Sequence, residues 1–231
     1  MRPSAILVII TTVVSASTNA AQSYASYDAF YAAQPGTVFN EPIRRDTTAV
    51  YFKNNNQGIY TVLKAKLAGK PIIIQVAKNY IKINGKTHNF LRAITFSGEN
   101  IVSIYPDTAN VFLADKTGNR PSLLCVEGHS SGSGETDRYQ QIFLLINPLD
   151  HNPTFLHLPG LLSSCRAVLT TSTGQPTFPK NSYIVDEEQA TRAGLRVSYF
   201  TFEHGKFVPT SNEIRLRFVN PENPFQFSSG N

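Results

Sequence analysis

The chain has 231 residues, with 21 Lys and Arg against 16 Asp and Glu for a formal charge of +5, and 16% charged against 41% hydrophobic residues. Soluble proteins average roughly a quarter charged residues, so this chain is charge-poor, and it is too apolar and aromatic to be intrinsically disordered. It has no heptads, no collagen repeat and no dense cysteine framework, which excludes coiled-coil, fibrous and disulfide-scaffold proteins.

The first segment reads as a secretory leader. Arg2 supplies a positive start, Ala5–Val14 is an apolar run of about ten residues, and Ser15–Ala21 is a small-residue tail. The run is too short to span a bilayer. Thr18 and Ala20 fit the −3 and −1 positions, which predicts cleavage after Ala20 and a mature chain of residues 21–231 forming one domain. No later stretch approaches a membrane span, so the expectation is a soluble periplasmic or secreted protein. In that oxidising setting Cys125 and Cys165 are expected to pair, closing a loop of roughly 40 residues worth about 4 kcal/mol in the chain-entropy picture.

In chain order, Ser26–Gln34 predicts one short helix, with Ser26 as N-cap and Pro35-Gly36 as the stop. Short strands follow between turn signals: Thr48–Phe52, Ile59–Leu67, Ile72–Lys78, Tyr80–Ile83, Asn89–Phe96, Ile101–Tyr105, Asn110–Leu113 and Ser122–Val126. Asn84-Gly85 suits a tight hairpin because both residues tolerate positive φ. Ala68-Gly69, Ser97-Gly98, Thr117–Asn119 and His204-Gly205 are further turns. Gly128–Glu135 is a Gly/Ser-rich loop. Beyond it lie Gln140–Ile146, Thr154–Leu158, Arg166–Thr171, Ser182–Val185, Leu195–Glu203, Lys206–Val208, Ile214–Val219 and Phe225–Phe227. Glu187–Gly194 is a second, shorter helical candidate. Strands and turns at this spacing predict an all-β fold: a single antiparallel sandwich or barrel-like domain with short peripheral helices and one disulfide. Val111–Asn119 is similar to part of a propeller blade, but the chain carries no convincing copies of it.

The charge is unevenly placed. Between Arg44 and Arg92 there are ten bases and one acid, Asp46; from Ala93 onward there are ten bases and 13 acids. A two-residue period puts Lys64 and Lys66 on one strand face. Lys78, Tyr80 and Lys82 keep the same period if the strand is continuous, with Ile81 and Ile83 facing the core. Such a field attracts anionic partners, while lysines on a strand edge also discourage strand-to-strand aggregation. Export makes nucleic acid a poor partner, so an acidic protein or an envelope polyanion is the expected one.

Catalytic signals are sparse. Gly128-His129-Ser130-Ser131-Gly132 satisfies Gly-x-Ser-x-Gly and resembles the nucleophile elbow of α/β-hydrolase esterases and lipases. The resemblance implies Ser130 as nucleophile, with a later His such as His157 or His204 and an acid such as Asp150 or Asp186. It covers these five residues alone. The elbow also requires a helix directly after it and alternating strands and helices before it, and the surrounding sequence reads as strands and loop. Glu127, His129, Glu135 and Asp137 gather near the same loop, where a solvated loop is expected rather than a cation site. No metal-ligand or phosphate-loop spacing occurs, and no cofactor is expected. The sequence therefore favours a non-enzymatic binding protein, of inhibitor or immunity type, with Lys64, Lys66, Lys78, Tyr80 and Lys82 as partner contacts and the Gly128–Glu135 loop as an insertion element. A serine hydrolase and an envelope ligand carrier or structural component are its rivals.

Overall fold

A computed structural model describes residues 22–44, 60–130, 138–188 and 190–229. The expected leader, the Thr48–Phe52 strand and most of the Gly128–Glu135 loop lie outside these residues. In chain order the elements begin with β1 (Gln22–Tyr24) and α1 (Tyr27–Ala32), then β2 (Tyr60–Leu67), β3 (Lys70–Ala77), β4 (Tyr80–Ile83) and β5 (Lys86–Asn89). They continue with β6 (Ile94–Thr95), β7 (Asn110–Ala114), β8 (Leu123–Gly128), β9 (Gln141–Ile146), β10 (Thr154–Leu158) and β11 (Leu169–Thr170). The long strands β12 (Pro176–Asp186), β13 (Thr191–Glu203) and β14 (Lys206–Asn220), with β15 (Asn223–Ser229), complete the fold.

The all-β fold expected from the sequence is what forms, with a short helix and one disulfide. Its strands make three sheets, ordered β2-β3-β4-β5, β6-β10-β9-β8-β7 and β1-β15-β14-β13-β12-β11. Every named pairing is antiparallel except that of β10 with β6. The five-stranded sheet lies in the middle and is covered on both sides. Leu124, Val126, Phe143, Leu145 and Phe155 face the four-stranded sheet through Leu63, Ile72, Ile74, Val76, Ile81 and Ile83. Their neighbours Leu123, Cys125, Ile142, Leu144, Leu156 and Leu158 face Phe96, Phe178 and Val168 on the other side. Strands buried on both faces carry continuous apolar runs rather than alternation, and the Leu-Leu-Cys-Val of β8 and Ile-Phe-Leu-Leu-Ile of β9 are such runs.

The third core lies on the six-stranded sheet. α1 starts where Ser26 Oγ accepts a hydrogen bond from Ala29 N, an N-cap that satisfies one of the helix's orphan donors. It packs Tyr27, Phe30 and Tyr31 against Leu195, Val197, Tyr199, Leu216 and Phe227. Asn181 Nδ2 donates to Tyr31 Oη at 2.8 Å, and Tyr31 Oη donates to the Leu162 carbonyl at 3.0 Å. These bonds give Tyr31 Oη and Asn181 Nδ2 their partners inside the core.

Cys125 and Cys165 form the disulfide, with Cα atoms 5.9 Å apart. It joins the middle sheet to a 3₁₀ turn, Cys165–Ala167, which carries Arg166. Arg166 holds the N-terminal segment: it meets Asp28 at 2.7 Å and Glu41 at 3.2 Å and donates to the Asn40 carbonyl at 2.7 Å. Among the described residues no helix is long and apolar enough to cross a membrane.

Several local expectations are corrected. Residues 101–105 form no strand; Ile104 N and Tyr105 N donate instead to the Lys78 and His129 carbonyls. The Glu187–Gly194 helix is not what forms: Glu187, Glu188 and Ala190 are turn residues and Thr191–Gly194 are the first residues of β13, because the pairing of β12 with β13 runs out to Asp186 and Thr191. Lys206–Val208 and Ile214–Val219 belong to one long strand, β14. Arg166–Thr171 begins as the 3₁₀ turn and becomes strand only at Leu169. The Ala68-Gly69, Asn84-Gly85 and His204-Gly205 turns form as expected, each pair with positive φ.

Candidate functional site

β2, β3, β4 and β5 make a meander whose inner face is core, so the alternate residues must face outward. Thr61, Leu63 and Leu67 are buried, which leaves Val62, Lys64 and Lys66 on the outer face. The register extends that face across the sheet: Lys64 lies opposite Ile73, Val62 opposite Gln75, Gln75 opposite Lys82, and Lys82 opposite Thr87. Tyr80 shares the face two residues from Lys82, and Ile81 and Ile83 turn inward, 0% and 3% exposed.

The structure thus brings together four of the five partner residues read from the sequence: Lys64, Lys66, Tyr80 and Lys82. Gln75 Nε2 donates to Tyr80 Oη at 3.1 Å, and Lys82 Nζ stands 5.9 Å from the Tyr80 ring centroid. That hydrogen bond fixes the ring at the base of the face. Lys78 is the exception. The strand is not continuous there: Lys78 and Asn79 form the bend between β3 and β4, so Lys78 stands at the sheet's end. Lys70 and Lys86 take inward-facing register positions at the rim, and Lys86 Nζ donates to the His151 carbonyl. No acid occurs anywhere from Tyr60 to Arg92. An acid from outside these strands, Asp115, is fixed to the sheet: its Oδ1 accepts from Ala68 N in the β2–β3 turn at 2.6 Å.

One functional candidate escaped the sequence reading. Ile73 is 54% exposed between its buried neighbours Ile72 and Ile74. In a strand the middle residue of an Ile-Ile-Ile run must face opposite its neighbours, and that was the available signal. The outer face is therefore an apolar centre beside lysines.

The Ser130 region has a different character. β8 ends at Gly128, and His129 and Ser130 continue without regular structure. The helix an esterase elbow requires would fall in 131–137, outside the described residues. His157 Nδ1 lies 2.9 Å from Thr95 Oγ1, its ring packs 5.0 Å from Phe143, and it is 1% exposed. His204 occupies the β13–β14 turn. Glu127, read from the sequence as part of a solvated loop, is instead 5% exposed beside the disulfide. It accepts from Cys165 N at 2.7 Å and Asn110 Nδ2 at 3.2 Å, and burial pushes its carboxyl above the usual range. Glu135 and Asp137 lie outside the described residues. Among the described residues no three His, Cys, Asp or Glu side chains gather as a metal site.

Burial pushes the His157 imidazole down to about 4 from the free value of 6.5. The unfolded chain therefore binds a proton here that the folded chain refuses between these values. Stability contributed by neutral His157 is present above pH 6.5 and is lost as pH falls towards 4, about 3 kcal/mol in all. Glu127 works in the opposite sense, because its raised carboxyl favours the folded state at low pH and loses that contribution as pH rises. The variant His157→Leu isolates the first effect. Urea midpoints at pH 4.5 and 7 should differ less in that variant than in the wild type; an equal difference would show that His157 does not carry the slope.

Comparison of the chain with protein-family models, with curated proteins and with solved structures returns no match.

Proposed function

We propose that this is an exported, non-enzymatic binding protein that occludes an acidic, envelope-acting protein partner, in the manner of an inhibitor or immunity protein, and that the outer face of β2–β5 is its docking surface. The observation that carries the reading is the placement of Lys64, Lys66 and Lys82 around the exposed Ile73, with Tyr80 further along the same face, on strands that hold no acid. Lysines at the margin steer an acidic partner and set the association rate. Ile73 and Tyr80 supply the area that excludes water once contact is made, and so set the dissociation rate. The leader-like first twenty residues and the disulfide support export.

The test is capture of the partner from a periplasmic and outer-membrane extract, followed by binding kinetics. Lys64→Glu with Lys66→Glu should slow association by about tenfold to a hundredfold at low salt, and the gap should close in high salt as the field is screened. Ile73→Ala should leave association unchanged and speed dissociation. Undiminished binding after the double charge reversal would remove the lysine face from the mechanism.

A further inference from the structure

We infer that the curled end of the six-stranded sheet is a second binding site, for a small amphiphilic oxyanion: a carboxylate or phosphate head on an apolar body. The curl has a local cause. The pairing of β12 with β13 shifts register between Ile184 and Val185, with Ile184 opposite Gly194 and Val185 opposite Arg192, so Ala193 is the extra residue. An extra residue bends its strand and increases the twist. Gly194 lets β14 come close, since a Cβ there would lie 2.1 Å from the Leu216 carbonyl oxygen. The result is an open trough of about 540 Å³, within the range of about 300–1,000 Å³ that suits small-molecule sites.

The walls differ in chemistry. Arg215 and Arg217 line one side; Ile184, Ala193, Val219 and Pro221 supply apolar surface. The two arginines are two residues apart on β14 and so project from the same face. Register sets Arg196 opposite Arg215, and sets Ile184 and Arg217 on either side of Gly194, which has no side chain to separate them. Glu213 accepts a hydrogen bond from Arg215 Nε at 3.2 Å and stands 3.9 Å from Arg196 Nε, which offsets one charge of the three. Arg217 has no ion pair among the described residues.

A guanidinium presents a planar fork of donors that matches two oxygens of one oxyanion. Two such forks on one strand can close on a single head group, and the apolar surface beside them gives the rest of the ligand a place out of water. Asp186 also lines the trough, and its Oδ1 accepts from Glu188 N. The sequence hides this site because the bases and acids from Ala93 onward nearly cancel. It lies on a different sheet from the lysine face and does not depend on that reading.

The experiment titrates the protein with decanoate, decyl phosphate, inorganic phosphate and octyl glucoside, each amphiphile below its micellar concentration, by calorimetry and backbone amide NMR. At least one anionic amphiphile should bind saturably, with shifts confined to residues 184–194 and 215–221; the tighter of the two identifies the head group. Arg215→Gln with Arg217→Gln should weaken it by about tenfold or more while the melting temperature holds. Ala193→Phe, which keeps both arginines and fills the trough, should weaken it comparably. Lys64→Glu with Lys66→Glu should leave it unchanged. The proposal is overturned if inorganic phosphate binds as well as decyl phosphate, if octyl glucoside binds as well as decanoate, if the arginine variant keeps its affinity, or if neither anionic amphiphile binds at about 1 mM.

Discussion

Replacing Phe143 with alanine is expected to lower the free energy of unfolding by about 3–5 kcal/mol, the cost of a large aromatic lost from a packed core. Phe143 is fully buried on the side of the middle sheet that faces β2–β5. Its ring stacks on Phe90, with centroids 4.0 Å apart and planes 12° apart, and it also packs near Phe155 at 5.9 Å and His157 at 5.0 Å. Phe90 begins the 3₁₀ turn that follows β5. The stack therefore couples the sheet bearing the lysine face to the rest of the molecule, and truncation leaves a cavity at that junction. Against a typical stability of about 5–15 kcal/mol, the loss is a large fraction. Urea unfolding followed by circular dichroism measures it. A loss below about 1 kcal/mol would mean that the core collapses around the gap, and that this stack does not hold the two sheets together.

Substituting both Cys125 and Cys165 with alanine is expected to cost about 4 kcal/mol, from the entropy regained by an unfolded chain no longer tied across 40 residues. Both cysteines are 0% exposed, so the variant is a cleaner probe than added reductant. The urea m-value should rise as well, because the untethered unfolded chain exposes more surface. The loss has a structural counterpart: the bridged turn presents Cys165 N to Glu127 and Arg166 to Asp28 and Glu41. An unchanged midpoint and m-value would show that those contacts alone fix the turn.

Much of the fold is legible locally. The Thr154–Leu158 and Tyr80–Ile83 strands fall where alternation and flanking turns place them. The two-residue hairpins fall on Ala68-Gly69, Asn84-Gly85 and His204-Gly205, because positive φ is cheap for Gly and tolerated by Asn. Residues whose structure is set by distant partners are read less well. Ile101–Tyr105 has a strand-like composition, yet Ile104 N and Tyr105 N are taken by the Lys78 and His129 carbonyls and no ladder forms. Thr191–Gly194 reads as the end of a helix, but the hydrogen bonds offered by β12 outweigh so weak a local preference. Glu127 looks like a loop acid until the disulfide brings Cys165 N to it.

The sequence by itself determined the fold class, the short N-capped helix, the tight hairpins, the cysteine pair and the concentration of positive charge between Arg44 and Arg92. These depend on neighbours a few residues apart, where backbone preference and side-chain period act directly. Only the tertiary structure decided that the middle sheet is buried on both faces, that Lys82 and Tyr80 share the outer face of Lys64, Lys66 and Ile73 while Lys78 stays at the edge, and that Arg215 and Arg217 line a trough beside Ile184. Those placements follow from cross-strand register and from one extra residue at Ala193, and a one-residue change of register turns a side chain to the other face. Local periodicity specifies which residues share a face within a strand; it does not specify which strands lie side by side.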